Sequence, residues 1–158
     1  MIGLDSKQIQ KLYIAYFGRP ADPNGINYWL AKSKSGYSLK NISRELSLQD
    51  EYTKFIILNR DIDYQINQLY LNLFGRKVDF DGLKYWLVSL ENNSYDISDI
   101  VFDLISFDYK SNENHLNITS DDYQVLDNRL YSAQLFTEEL SLSLFWVDLY
   151  RPKSLDPW

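Results

Sequence analysis

An internal duplication constrains the fold of this chain more than any other feature of its sequence. Residues 8–30, QIQKLYIAYFGRPADPNGINYWL, align with residues 65–87, QINQLYLNLFGRKVDFDGLKYWL, at a constant offset of 57 positions. Both segments contain the pattern G-R-x-x-D-x-[ND]-G-x-x-Y-W. A repeat of this length indicates one supersecondary unit that occurs twice, with both copies contributing to a shared core.

Each copy has the pattern of a helix, a tight turn, a second helix, a loop and a third helix. Apolar residues at helical spacing predict the first helix, and Gly18 and Gly75 end it because glycine readily adopts a left-handed conformation. Asp22 and Asp79 are then predicted to cap the second helix. No alternation typical of a strand persists anywhere, so the predicted fold is all-α.

Two further helices are predicted after a polar connection at residues 110–120. The first covers about residues 125–136, and the second begins with Thr137 as its cap and runs to about Tyr150, bounded by Pro152. The predicted organisation is a first helical repeat at residues 1–58, a second at 59–112, and C-terminal helices at 119–151. These parts are expected to pack as one compact unit.

The motif itself is interpreted as a hinge between helices. The arginine is placed to bridge the turn, either to the capping aspartate or to exposed carbonyls. The second glycine allows another backbone to approach closely, and the tryptophan packs in the core. The residues assigned this structural role are Gly18, Arg19, Asp22, Gly25 and Trp29 in the first copy, and Gly75, Arg76, Asp79, Gly82 and Trp86 in the second.

A weak calcium site is a second hypothesis for the turns. Each turn carries two oxygen-bearing side chains, Asp22 and Asn24 in one copy and Asp79 and Asp81 in the other. Calcium takes about 6–8 oxygen ligands, and an EF-hand loop ends with a bidentate glutamate at its twelfth position. That position holds serine and leucine in the two copies, so the match to an EF-hand loop is poor. No other cofactor is predicted.

The chain is acidic and rich in tyrosine. It has 22 Asp and Glu residues against 16 Lys and Arg residues, and a formal net charge of -6. This charge disfavours a nucleic-acid binder, which neutralises phosphates with basic residues, and a basic helix on a membrane surface. No apolar run approaches the roughly 18 residues of a membrane span, and no secretory signal precedes the first helix.

The 13 tyrosines suggest a contact surface in addition to core packing. Tyrosine and tryptophan faces stack on the apolar faces of sugar rings, and four tyrosines flank the turns in both copies. A glycan-binding role is therefore a hypothesis for Tyr28, Tyr37, Tyr85 and Tyr95.

Enzymatic activity is not expected. The only histidine is His115, so neither a histidine-based triad nor a multi-histidine metal site can be built. The chain has no cysteine, which excludes disulfides and thiolate chemistry and fits either the cytoplasm or export without disulfide formation. Neighbouring carboxylates such as Glu138 and Glu139 are typical of solvated helix faces.

The extended motif L-Y-x-x-x-F-G-R-x-x-D-x-x-G-x-x-Y-W, at Leu12–Trp29 and Leu69–Trp86, resembles a bacterial domain family of unknown function. That family recurs in surface-layer, RTX-type and other large secreted proteins, and the segment Leu126–Leu140 also resembles the region C-terminal to the repeats in that family. The resemblance implies an all-helical array similar to phycobilisome linker domains.

The resemblance also implies a function and a location. A domain of this kind at the start of a surface-layer protein would attach the layer to lipopolysaccharide or another surface polysaccharide, after type I export without an N-terminal signal. The chain lacks the calcium-binding repeats and secretion signal of such proteins, so it is expected to be either a fragment or a small relative. The alternative is a protein-interaction or assembly module like the linker domains, binding itself or other proteins, which would be cytoplasmic.

Overall fold

The structure, a computed structural model, describes residues 4–111 and 114–150, with side chains described as far as residue 143. Within these ranges the chain forms helices and no strands, which confirms the all-α prediction. Similarity to phycobilisome linker domains stays a prediction. The predicted helix boundary at Pro152, like residues 1–3, lies outside the described part of the chain.

The helices follow the order expected from the duplication. The first lobe contains α1 (Ser6–Phe17), α2 (Pro23–Lys34), α3 (Leu39–Ser47) and a short π-helix (Glu51–Ile56). The second lobe contains α4 (Ile62–Phe74), α5 (Phe80–Leu90) and α6 (Ile97–Ser106), and α7 (Ser120–Tyr150) follows.

Local capping interactions explain where the repeated helices begin and end. The side chain of Asp22 accepts a hydrogen bond from the backbone N–H of Gly25 at the start of α2, and Asp79 caps α5 in the same way. Gly18 and Gly75 end α1 and α4 with φ values of 62° and 71°, the left-handed conformation predicted for them. The same sequence pattern thus produces the same turn twice.

The two lobes pack through equivalent helices, with α1 against α4 and α3 against α6. A buried chain of hydroxyls crosses this interface. The Tyr16 hydroxyl lies 2.8 Å from Ser43 Oγ, and Ser43 Oγ donates to the Ser98 carbonyl oxygen at 2.9 Å. Because these groups are buried, each bond avoids the cost of an unpaired polar atom and fixes how the lobes meet.

The C-terminal region differs from the prediction of two helices, because α7 is one continuous helix of 31 residues. Thr137 lies inside it and does not act as a cap. Its hydroxyl accepts a hydrogen bond from Gln10 Nε2 at 2.6 Å and donates to the Ala21 carbonyl oxygen at 2.6 Å. The hydroxyl that the sequence suggested as a cap is therefore used to hold α7 against α1 and the α1–α2 turn.

The connection before α7 contains two buried apolar residues. Leu116 and Ile118, within the polar stretch at residues 110–120, are 2% and 0% exposed. They pack into the common core, so this segment ties the second lobe to α7. Most other described residues of this stretch are exposed. The two apolar residues could not be predicted as core residues, because two apolar positions in a polar segment leave no periodic pattern.

A pair of buried tyrosines gives a test of the core. Tyr16 and Tyr52 have ring centroids 5.0 Å apart, but the Tyr52 hydroxyl has no hydrogen-bond partner among the described residues. Burial raises the pKa of Tyr52 well above its ordinary value, so the hydroxyl is neutral as well as unbonded.

We expect Tyr52→Phe to leave the free energy of unfolding unchanged or to raise it by up to about 1 kcal/mol, because it removes a desolvated, unbonded group. Tyr16→Phe is the control and should cost about 1–2 kcal/mol, because it removes bonds to Ser43. Urea denaturation of both variants measures this. Equal destabilisation would contradict the assignment of hydrogen bonds in this core.

Candidate functional site

The hinge of each lobe is built around a buried tryptophan. Trp29 Nε1 donates to the Tyr13 hydroxyl at 3.2 Å, and Trp86 Nε1 donates to the Tyr70 hydroxyl at 3.0 Å. The tyrosine comes from the first helix of the copy and the tryptophan from the second. Each bond therefore locks two helices at one angle while satisfying both buried polar atoms.

The second glycine of the motif makes room for other side chains of the hinge. A Cβ at Gly25 would lie 2.6 Å from the Tyr13 hydroxyl oxygen, closer than carbon and oxygen can approach. At Gly82 it would lie 3.0 Å from Val78 Cγ2 and 3.5 Å from the Tyr70 hydroxyl oxygen. The sequence predicted close approach of another backbone, but the approaching groups are side chains of the same hinge.

The motif arginines bind carboxylates that lie outside the motif. Arg19 donates from Nε and Nη2 to Glu51, both at 2.7 Å, and Arg76 donates in the same way to Asp122 at 2.7 Å. Their Nη1 atoms donate to the carbonyl oxygens of Pro20 and Lys77. The predicted bond to a carbonyl is present, whereas the predicted bond from the arginine to the capping aspartate is not formed.

The partner carboxylates could not be found from the repeat because they are not repeated. Glu51 lies in the π-helix of the first lobe, and Asp122 lies in α7, 46 positions after its arginine. In each pair, two parallel charge-assisted hydrogen bonds connect the arginine of the turn to a carboxylate on another helix. The hinges are therefore satisfied structural elements, and their polar side chains are engaged within the protein.

The calcium hypothesis finds no assembled site. Asp22 and Asp79 are occupied as helix caps, while Asn24 and Asp81 are exposed. Among the side chains that the structure describes, no group of three or more His, Asp or Glu residues is placed to hold a metal ion. The turns resemble a calcium loop in composition but use their oxygens for helix capping.

The tyrosines suggested for glycan binding form two separate clusters, one on each lobe. On the first lobe, Lys32 Nζ lies 5.6 Å from the ring centroid of Tyr28 and 4.6 Å from that of Tyr37. These distances allow cation–π attraction to both rings. The lysine thus already occupies the space between the two aromatic faces.

On the second lobe, Tyr85 lines a pocket of about 350 Å³, which we call the second-lobe pocket. Tyr85 is 40% exposed, and its ring centroid lies 4.9 Å from that of Trp86 and 4.7 Å from that of His115. Tyr95 supports the wall of the pocket, since its hydroxyl donates to Asp103 Oδ2 at 2.6 Å. The pocket is lined by Tyr85, Asp103, Phe107, Asp108, Ser111 and His115, among others.

Burial and the bond to Asp103 raise the pKa of Tyr95 far above its ordinary value, so its proton stays on the phenol oxygen. The bond holds the Asp103 carboxylate in place as an acceptor at the pocket wall. The sequence pointed to both tyrosines. It missed Asp103 and the contribution of His115, because neither belongs to the repeated motif.

A larger cleft of about 700 Å³ lies between the lobes and α7. Its wall includes Arg19, Asn72, Arg129, Ser132 and Phe136. None of the four suggested tyrosines lines it within the described part of the chain. A glycan bound in this cleft would therefore lack the stacking surfaces of those tyrosines.

Comparison with known proteins adds no family assignment. No protein-family model matches the chain, and no match to a curated protein or to a solved structure was found. Among the helices that the structure describes, none combines the length and apolar character needed to cross a membrane.

The two arginine–carboxylate pairs differ in burial. Replacing the arginine of each pair should therefore lower the free energy of unfolding by different amounts. Asp122 has a side chain 6% exposed, whereas both partners of the Arg19–Glu51 pair are about 40% exposed. We expect Arg76→Met to lower the free energy of unfolding at pH 7 by about 1–3 kcal/mol, because a buried carboxylate loses its partner. Arg19→Met is the matched control, with an expected loss of no more than about 1 kcal/mol.

The Arg76 effect should also depend on pH. Burial raises the pKa of Asp122, but hydrogen bonds from Arg76 and Thr119 outweigh it and leave that pKa below its ordinary value. A lowered pKa contributes stability that is complete above the unfolded-state pKa of about 3.9 and is lost as the pH falls through the folded-state pKa. Urea denaturation should therefore show the difference between wild type and Arg76→Met shrinking below about pH 4. A difference that stays constant would contradict the assigned pair.

Proposed function

We propose that this protein is a non-enzymatic attachment module that binds a cell-surface polysaccharide, with the O-chain of lipopolysaccharide as the expected ligand. The second-lobe pocket is the proposed site. The observation that carries the proposal is the exposed ring of Tyr85, held beside an oriented carboxylate, Asp103, in a pocket with further hydroxyl and carboxylate groups. The resemblance of the repeated motif to surface-layer domains supports the same conclusion.

The chemistry of the pocket matches that of a sugar ring. A pyranose has an apolar face that stacks on an aromatic ring, and equatorial hydroxyls that donate to carboxylates. Tyr85 supplies a partly exposed aromatic face, stiffened by Trp86 behind it, and Asp103 and Asp108 supply acceptors. The volume of the second-lobe pocket, about 350 Å³, is at the lower end of the roughly 300–1,000 Å³ that is typical of small-molecule sites. A pocket of this size suits a short segment of a glycan chain.

The hydrogen bond of Asp103 favours binding over hydrolysis. A hydrolytic acid must carry a proton to the glycosidic oxygen. One carboxylate oxygen of Asp103 instead accepts a hydrogen bond from the Tyr95 hydroxyl, which holds the group as an acceptor at the pocket wall. We therefore assign it a role in recognising hydroxyls.

The acidic charge of the chain indicates which sugars are suited. A protein of net charge -6, with two aspartates in its pocket, repels phosphate and carboxylate groups. Stacking and hydrogen bonds to neutral sugars should dominate the affinity. Such contacts are short-ranged and are little affected by salt, unlike ion pairs between exposed charges.

We expect isothermal titration with purified lipopolysaccharide, and with its isolated polysaccharide, to show binding that Tyr85→Ala weakens at least about tenfold, corresponding to about 1.4 kcal/mol. Tyr28→Ala is the matched control, because Tyr28 is the equivalent residue of the first lobe and is also exposed, at 51%. It should leave the affinity unchanged. Raising the salt from about 0.1 to about 0.5 M should change the Kd less than twofold.

Three results would overturn the proposal. Absence of binding to every polysaccharide tested, with and without calcium, would exclude a glycan-binding function. Loss of binding in Tyr28→Ala and not in Tyr85→Ala would move the site to the first lobe. Binding to the lipid portion alone would show that the polysaccharide is not the ligand.

A further inference from the structure

Both lobes carry a set of two tyrosines and one carboxylate, drawn from their second and third helices and the loop between them. The sets are Tyr28, Tyr37 and Glu45 in the first lobe, and Tyr85, Tyr95 and Asp103 in the second. In both copies the carboxylate lies eight positions after the second tyrosine. The duplication therefore allows the first lobe to serve as a reference for the second.

In the first lobe a cation of the protein itself occupies this set. Lys32 Nζ lies 4.6 Å from the ring centroid of Tyr37 and 5.6 Å from that of Tyr28, within the range of cation–π attraction. Tyr28, Tyr37 and, less strongly, the Glu45 carboxylate raise the pKa of Lys32, because these neighbours favour its charged form. The first-lobe set thus already binds an ammonium group, which is supplied by a side chain of the same lobe.

The second lobe keeps the set but lacks the lysine. Lys32 lies four positions after Tyr28, on α2. The residue four positions after Tyr85, on α5, is Ser89. The Ser89 hydroxyl is used locally, since it donates to the Tyr85 carbonyl oxygen at 2.9 Å. Among the described residues that line the second-lobe pocket there is no lysine or arginine, so neither of these side chains takes the place of Lys32.

The groups that remain in the second-lobe pocket are complementary to a cation. Asp103 and Asp108 both line it, and the Tyr95 hydroxyl holds Asp103 at its wall. Tyr85, 40% exposed, supplies an aromatic face in the same pocket. A positively charged group bound here contacts an aromatic face and a carboxylate at once, and both contacts are favourable.

We propose that the second-lobe pocket binds the primary ammonium group of an amino sugar, in the place that corresponds to that of Lys32 in the first lobe. In the complex the ammonium group lies against the Tyr85 ring and donates to the Asp103 carboxylate. This inference rests on the proposed function and names the type of sugar that the site selects.

The ammonium group provides selectivity among saccharides that already stack in the pocket. The sugar ring and its uncharged hydroxyls still supply most of the affinity, through the contacts given for the proposed function. Salt screens a contact inside a pocket less than a contact between exposed charges. The weak salt dependence expected for lipopolysaccharide is therefore retained.

Matched ligands test the role of the ammonium group. The probes are the methyl glycosides of glucosamine and galactosamine, each compared with its N-acetyl form, in which the same nitrogen is uncharged. At about pH 7 a sugar amine is mostly protonated, because its pKa resembles the value of about 8 of an α-amino group. In NMR titrations of the full chain, at least one of the two amines should have a Kd at least about tenfold lower than its N-acetyl form.

Ser89→Lys tests the position of the bound group. It gives the second lobe the lysine that the first lobe has, so the Kd of the preferred amine should rise at least about tenfold. Phe55→Lys is the matched control, because it adds the same charge at a position on the π-helix that is 81% exposed and does not line the pocket. It should change that Kd less than twofold, because exposed distant charges are screened. Circular dichroism should show that both variants keep the helical content of the wild type.

The inference is wrong if neither amine binds, or if both amines bind no more tightly than their N-acetyl forms. It is also wrong if Ser89→Lys binds the amine like the wild type, or if Phe55→Lys weakens binding equally, because net charge alone would then explain the attraction. The proposed function is tested separately, by the binding of lipopolysaccharide and its loss in Tyr85→Ala. Lipopolysaccharide binding without preference for the amines would overturn only the inference, whereas absence of all saccharide binding would overturn both.

Discussion

The bond between a buried indole N–H and a tyrosine hydroxyl is the constraint on which the rest of this fold depends. An indole nitrogen buried among apolar side chains must find an acceptor, and in each lobe the acceptor is Tyr13 or Tyr70. A side chain at Gly25 would collide with the Tyr13 hydroxyl, and a side chain at Gly82 would press against Val78 and Asp79 of the same hinge. Tyrosine, glycine and tryptophan are therefore parts of one contact, and their fixed spacing sets the angle between the first two helices of each lobe.

The duplication supplies the same hinge twice, and the differences between the lobes are what create surfaces for function. Arg19 of the first lobe forms an ion pair with Glu51 in the π-helix of the same lobe. Arg76 of the second lobe forms an ion pair with Asp122 near the start of α7. From that point α7 runs onto the first lobe and covers its α1–α2 surface. The second lobe gains, through the segment around His115, the second-lobe pocket.

The sequence was a good guide wherever a residue acts on its neighbours. Caps, helix ends and the core role of Trp29 and Trp86 depend on contacts between residues close in the chain, and the repeat displays them twice. It was a poor guide wherever distant segments meet. The carboxylate partners Glu51 and Asp122 occur once each, and the hydroxyl of Thr137 suits a helix cap as well as it suits the bond to Gln10 that it makes. The four tyrosines were chosen by their position in the repeat, and only the structure separates the pair around Lys32 from the pair at the second-lobe pocket.

A double-mutant cycle on Tyr70 and Trp86 tests the central claim most directly. Free energies of unfolding would be measured for Tyr70→Phe, Trp86→Phe and the double variant. Each single change leaves one buried polar atom without its partner, whereas the double change removes both atoms. The account predicts that the double variant loses less stability than the sum of the single losses, by about 1 kcal/mol or more. Losses that add to within about 0.3 kcal/mol would show that the two side chains act independently, and the hinge would then have to be explained by another contact.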